Sequence, residues 1–246
     1  VPKAAGFVLV ATGTLVLAWV AVTLQWGDPI TAIQTKHEQE KLDREFEQLT
    51  RQWRPSAPAG TEPARSTRSV SATPREGKST SAAALWTPSG VRRWATEFRG
   101  RVQHGHAAAR IVVPKLNLRM VVVAGTSVDD LKKGPGFYDI RRRGYATALP
   151  GMGGVVAIAG HRTTYGHPFR YIETLRKGDR IFLQMPYGRF TYKVYGRRVV
   201  SAGNWEILQP RGFEKLVLSA CEPLHSLAKR WVVYGRLIRT EPPWRT

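Results

Sequence analysis

The chain has one cysteine, Cys221, and few acidic residues: 18 Asp and Glu stand against 38 Lys and Arg, a formal charge of +20 over 246 residues. A single cysteine excludes an internal disulfide framework and any clustered-cysteine metal site. An acidic cluster of the calcium-binding kind is also lacking, because Glu206, Glu214 and Glu222 are dispersed among basic residues. No metal and no cofactor are therefore expected. The positive charge alone would suit a nucleic-acid binder. However, there is no basic-region helix, zinc-finger spacing or RNA-binding aromatic sheet motif, and the densest run, Arg141-Arg142-Arg143, is short. Nucleic acid is not expected as a partner. The charge reads as a basic solvated surface, or as one that attracts anionic headgroups or a charged wall polymer. What is present is ample apolar material, 42% of residues, enough for a substantial core.

That material is unevenly distributed. Ala4–Leu24 is an uncharged run of 21 residues, which predicts a membrane-spanning helix over 4–26 with a short end at 1–3. A lipid bilayer is then an expected partner. Residues 27–54 form a charged segment in which Leu42, Phe46, Leu49 and Trp53 recur at spacings of four, three and four, the single apolar stripe of an amphipathic stalk helix. Such a stripe can pack on a domain, lie on a membrane or pair with a second copy. Residues 55–90 are rich in Ser, Thr, Pro and Ala and nearly free of large apolar groups, which predicts a disordered tether.

Residues 91–246 read as the folded domain. Short strands are predicted at Ala109–Val113, Leu116–Val123, Val155–Gly160, Asp179–Met185, Phe190–Val200, Lys215–Ala220 and Arg230–Arg239, with a hairpin turn at Pro186–Arg189. Crossover helices of ten or more residues are missing, which argues against a doubly wound sheet. The fold class expected is mainly β, a closed and mainly antiparallel barrel or sandwich with short helices.

Cys221 ends a strand in the run Leu218-Ser219-Ala220-Cys221-Glu222-Pro223, and His161 follows the apolar run Val155–Gly160. A thiol attacks as thiolate, and a free thiol with a pKa near ~8.5 is mostly protonated at neutral pH. A neighbouring imidazole favours the thiolate and can later give the leaving group its proton. The oxyanion of a tetrahedral intermediate needs a cation or hydrogen-bond donors. Arg230 returns to the Cys221 rim if 222–229 is a loop joining adjacent strands, and its guanidinium stays charged. Cys, His and Arg at three strand ends are enough for acyl transfer. A buried inert thiol is the competing reading, and spacing alone does not bring His161 to Cys221.

Several ordered runs narrow the choice: RIVVPKLNL at Arg110–Leu118, KKGPGFY at Lys132–Tyr138, ALPG at Ala148–Gly151, AIAGHRTTYGHPF at Ala157–Phe169, LVLSACEP at Leu216–Pro223 and KRWVVYGRL at Lys229–Leu237. Together they resemble the sortases, membrane-tethered cysteine transpeptidases, and GHRTTYG with GPG-x-Y is most similar to the class E sortases of actinobacteria. The resemblance implies an eight-stranded sortase-type barrel, with Cys221 as nucleophile, His161 as acid or base and Arg230 as oxyanion and substrate clamp. It implies cleavage of an LAxTG-like or LPxTG-like sorting signal at Thr–Gly through a thioester. The partners would be secreted proteins bearing that C-terminal signal, and a peptidoglycan-precursor or pilin-lysine amine as acceptor. It also implies a single-pass cell-membrane protein with a cytoplasmic N-terminus and an extracellular catalytic domain. The sorting peptide would be read by Tyr138, Leu149, Pro150, Thr163, Thr164, Tyr165 and Trp205, all placed on loops expected at the Cys221 rim. One departure stands out: many sortases carry Thr-Leu-x-Thr-Cys, whereas Val217 and Ala220 here lack the hydroxyl. Other readings are an L,D-transpeptidase-like enzyme, for which Ser219–Glu222 lacks the Ser-x-Gly-Cys pattern, a papain-like hydrolase, a non-catalytic wall-binding β domain and a degenerate sortase.

Overall fold

The structure, a computed structural model, describes residues 2–26, 29–53, 86–138 and 147–242, without the side chains of 2–3, 21–26 and 29–30. Among the described residues, eight strands close into a barrel: β1 (Ala107–Val113), β2 (Leu118–Ala124), β3 (Gly136–Phe137), β4 (Val155–Ala159), β5 (Arg180–Met185), β6 (Gly188–Ser201), β7 (Lys215–Glu222) and β8 (Lys229–Glu241). Their order around the wall is β1-β2-β3-β4-β7-β8-β6-β5. The barrel is mixed: β2–β3 and β4–β7 are parallel and the other neighbours antiparallel. The β4-to-β7 crossover that parallel pairing demands is supplied by the β5–β6 hairpin, which does the work of a helix.

Strand burial explains the sequence pattern. Along β7, Leu216, Leu218 and Ala220 enter the interior cluster, while Val217 joins a second cluster on the outer face. In β4, Val156 and Ile158 point inward and Val155 and Ala157 outward, so both faces are covered and the run is apolar throughout. The outer cluster is closed by Ile207 and Leu208, from a 3-10 turn at Trp205–Leu208 between β6 and β7.

Among the described residues, four helices accompany the barrel: α1 (Pro2–Trp26), α2 (Pro29–Gln52), α3 (Pro88–Arg101) and α4 (Val128–Lys133). The apolar stripe of α2 packs on the barrel wall, where Leu42, Phe46 and Leu49 cover Ala107, Val121 and Val123. Trp53, just past the helix, meets Phe98 of α3 edge-on at 5.7 Å and joins the main core. Arg110 of β1 donates to Glu47 at 3.0 Å and also pairs with Asp43. α3 is capped by Thr87, whose hydroxyl accepts from Gly90 N–H. The segment read as a tether falls mostly on 54–85, outside the described residues.

The expected membrane span is corrected here. Among the described residues, no helix is long and apolar enough to cross a membrane. The single-pass placement, with a cytoplasmic N-terminus and an extracellular domain, rested on that span and falls with it.

Candidate active site

Strand pairing brings three strand ends to one rim. β4 and β7 run parallel with Ala159 opposite Ser219, and Gly160 N–H donates to Ser219 O at 3.1 Å. His161 is the next residue. β7 continues to Cys221, and β8 returns beside it with Arg230 directly opposite Cys221. Gly160 allows the close turn: a Cβ there would lie 2.7 Å from the Phe169 ring.

Cys221 is partly exposed. Alternation puts it on the outer face of β7 with Val217 and Ser219, opposite the inward Ala220. His161 is half-buried, and burial holds its pKa below the ordinary imidazole value. The Tyr165 ring lies 5.1 Å from the His161 ring at 42°. Arg230 Nη1 donates to Leu227 O and Lys229 O, both at 2.9 Å, which fixes the guanidinium in the β7–β8 connection.

Tyr138 joins this group. Its hydroxyl and Ser219 Oγ are 2.7 Å apart, and its ring meets Trp205 edge-on at 6.4 Å and 87°. Burial raises the Tyr138 pKa. The Ser219 bond and the Arg230 charge offset part of the rise, and Cys221 adds to it. The phenol is therefore protonated near neutral pH and lies within electrostatic reach of both Arg230 and Cys221.

Arg162 directly follows His161. It is 5% exposed and reaches from the His161 segment to the cysteine strand. Its Nη1 donates to Cys221 O at 3.2 Å and to Glu222, and its Nη2 to Glu173 at 2.7 Å. The only signal in the sequence was its place next to His161. A buried guanidinium with two carboxylate partners is a fixed tie between the two strand ends.

The other expected peptide-contacting residues separate. Thr163, Thr164 and Tyr165 follow His161 and are half-buried, and Trp205 is exposed beside Tyr138. Leu149 is fully buried in the core, and Pro150 gives its carbonyl to Tyr187 at 2.8 Å. Both sit by Gly151 and Gly153, whose N–H groups bind Glu214 at the starting end of β4 and β7. The five residues of β4 separate them from His161, about 16 Å along a strand. Among the described residues, no group of three His, Cys, Asp or Glu side chains is placed to hold a metal ion.

The model of the sortase domain matches residues 111–238. Sortase D of Bacillus subtilis is 33% identical over 138 residues, covering 54% of this chain and 65% of that protein. Sortase SrtE1 of Streptomyces coelicolor is 30% identical over 161 residues, covering 61% of this chain and 46% of that protein. The matches thus span less than two thirds of either relative. Among solved structures, sortase E1 of S. coelicolor with a tripeptide in the active site is similar at TM-score 0.52 and 30% identity, over 57% of this chain and 94% of that one. Sortase E of Streptomyces avermitilis is similar at TM-score 0.50 and 32% identity, over 57% and 93%.

Proposed function

The chain belongs to the sortase family, and from that premise we propose that it is a cysteine transpeptidase acting on a C-terminal sorting signal. The observation that carries the reading is the convergence of Cys221, Arg230 and His161 at one rim through the β4–β7–β8 register. The S. coelicolor structure with a tripeptide in its active site supports a peptide as substrate.

The residues divide the work as follows. Neutral His161, favoured by burial, takes the Cys221 thiol proton as sulfur attacks the threonine carbonyl of an LAxTG-like or LPxTG-like Thr–Gly bond. Arg230 stabilises the developing oxyanion with a fixed cation. The C–N bond breaks, the imidazolium protonates the leaving glycine amine, and a thioester remains. A second amine gives one proton to His161 as it attacks the thioester carbon, the new amide forms as the C–S bond breaks, and the released thiolate takes that proton from the imidazolium. Tyr138, paired with Ser219, orients the peptide beside Cys221, and Trp205, Thr163, Thr164 and Tyr165 flank the groove.

The test uses the full chain with fluorescent LAxTG and LPxTG peptides, with and without a glycine or diamine acceptor. Cleavage at Thr–Gly, an amide product only with acceptor, and loss of both in Cys221→Ala are expected. Intact peptides beside an active control sortase would overturn the reading. A wall-binding domain without turnover would behave the same with and without the Cys221 thiol.

A further inference from the structure

The outer face of β6, β7 and β8 carries cations set among aromatic rings, from Lys215 and Arg236 at the end away from Cys221 to Arg198, which stands opposite Val232 and so level with Ser219. Lys215 stands opposite Arg236 across β7–β8, and Arg236 opposite Lys193 across β6–β8. Tyr195 stacks on Tyr234 at 5.9 Å and meets Phe213 edge-on at 5.7 Å. The Arg236 guanidinium lies 4.6 Å from the Phe213 ring centre. The Arg198 guanidinium lies 5.9 Å from the Tyr234 ring centre and donates from Nε to the Tyr234 hydroxyl at 2.9 Å. The Lys215 ammonium is 5.7 Å from the same ring and donates to Ile207 O and Gln209 O.

Among the described residues, none of these cations has a carboxylate within ion-pair distance. Glu214, the sequence neighbour of Lys215, is turned the other way onto Tyr192, Gly151 and Gly153. Arg211 and Arg198 lie close enough to Lys215 that their charges add to burial in lowering its pKa to about 8. A general solvated surface spreads its cations or interleaves acids. Here like charges are gathered, and stacking on rings pre-orders two guanidinium groups, which lowers the ordering cost of binding an anion.

We propose that Lys193, Arg198 and Arg236, all exposed on this face, form a second binding site that uses neither Cys221 nor His161, for a phosphodiester-linked polyanion. Register places Arg198 opposite Val232, two residues before Tyr234, and Arg236 two residues after it. A tetrahedral phosphoryl group presents oxygens on two sides and can be shared by cations flanking a ring, which a planar carboxylate cannot do as well. The three cations lie along an open strand wall, which suits a chain of repeated charges over one small anion. The site requires neither Cys221 nor the sorting peptide, so it stands or falls apart from the reaction proposed above.

The experiment measures binding of a synthetic poly(glycerol phosphate) chain to the full chain across a salt series. Arg198→Gln with Arg236→Gln should cut affinity at least about tenfold and reduce the salt slope by about two. Lys115→Gln with Arg119→Gln removes the same charge from the β1–β2 side and should change affinity less than about twofold. Thermal unfolding and peptide cleavage should be unchanged in the Arg198/Arg236 variant. Equal weakening by both double variants would overturn the site, as would polyglutamate of matched length binding as tightly. Binding to phosphatidylglycerol vesicles with the same Arg198 and Arg236 dependence, without binding of the soluble polymer, would overturn the polymer and assign a lipid surface.

Discussion

Ser219 and Ala220 have opposite consequences because they point to opposite sides of β7. Ala220 enters the interior, so its missing hydroxyl removes nothing from the Cys221 face. Ser219 lies on that face and meets Tyr138 at 2.7 Å. The hydroxyl missing from Val217 and Ala220 was visible in the sequence. Tyr138 could be read from the sequence as a source of a hydroxyl, but its pairing with Ser219 could not, because Tyr138 comes from a distant strand end and only barrel closure brings it to Ser219. Lys215 is another residue whose state depends on packing. Its side chain is 2% exposed and its pKa is lowered to about 8, by burial first and then by Arg211 and Arg198. Between about 8 and the unfolded value near ~10.4 the unfolded chain holds more protons, so stability rises with pH in that window. Below pH 8 lysine is charged in both states and the penalty is constant. Tyr187 and Tyr192, with pKa values raised by burial, pull stability down only as pH approaches the free phenol value. Urea melts from pH 8 to 9.5 should therefore show stability climbing by up to ~1.4 kcal/mol per pH unit, and Lys215→Met should remove the climb. Parallel pH profiles for the two proteins would show that Lys215 is not desolvated.

The long strands were legible because burial on one face, or on two, writes a distinct pattern into each. β5 alternates and β4 is apolar throughout, and both are found close to where the sequence puts them. The two-residue β3 was not legible, since Gly136–Phe137 carries no period. Nor could the sequence choose a partner for the α2 stripe, because an amphipathic face reports that it is covered but not by what. The structure docks it on β1 and β2, with a consequence for the rim. Thr31 Oγ1 near the start of α2 accepts Tyr165 N–H at 2.9 Å, and Tyr165, held at φ 51°, lies against His161. A non-glycine residue in the left-handed region is held there by its surroundings. Thr31→Val should therefore release the loop after His161 and lower kcat/KM for the sorting peptide roughly five- to tenfold, in line with one lost hydrogen bond of ~1 kcal/mol. Thr31→Ser should restore turnover, and the melting temperature should move little in either. Full turnover in Thr31→Val would show that α2 has no hold on the His161 loop.

Closing a barrel with a two-residue strand leaves part of its neighbour unpaired. β3 pairs with β2 only at Val123 and Ala124, so the outward backbone of Val121 meets no strand. The side chain of Gln39 takes that place. Its Oε1 accepts Val121 N–H at 2.7 Å, and its Nε2 donates to Val121 O at 3.0 Å and to Lys133 O at 2.8 Å. A carboxamide from α2 thus pairs with the β2 edge as a strand backbone would, and protects an edge that would otherwise be open to another chain. Gly134 makes room for it, since a Cβ there would lie 2.3 Å from Gln39 Nε2. The closed wall is therefore a property of helix and strands together, which is why strand periodicity alone described the barrel but not its seam. Gln39→Leu keeps the bulk but leaves three backbone groups without partners. A loss of roughly 3 kcal/mol follows, about 6–12 °C in melting temperature for a protein of this size. Gln39→Glu keeps the acceptor for Val121 N–H yet turns a carboxylate oxygen toward two carbonyls, so it should destabilise at least as much despite its closer shape. If both variants melted with the unaltered chain, or if Gln39→Glu were the milder, the seam would be held by the packing of Leu42 and Phe46 rather than by the amide.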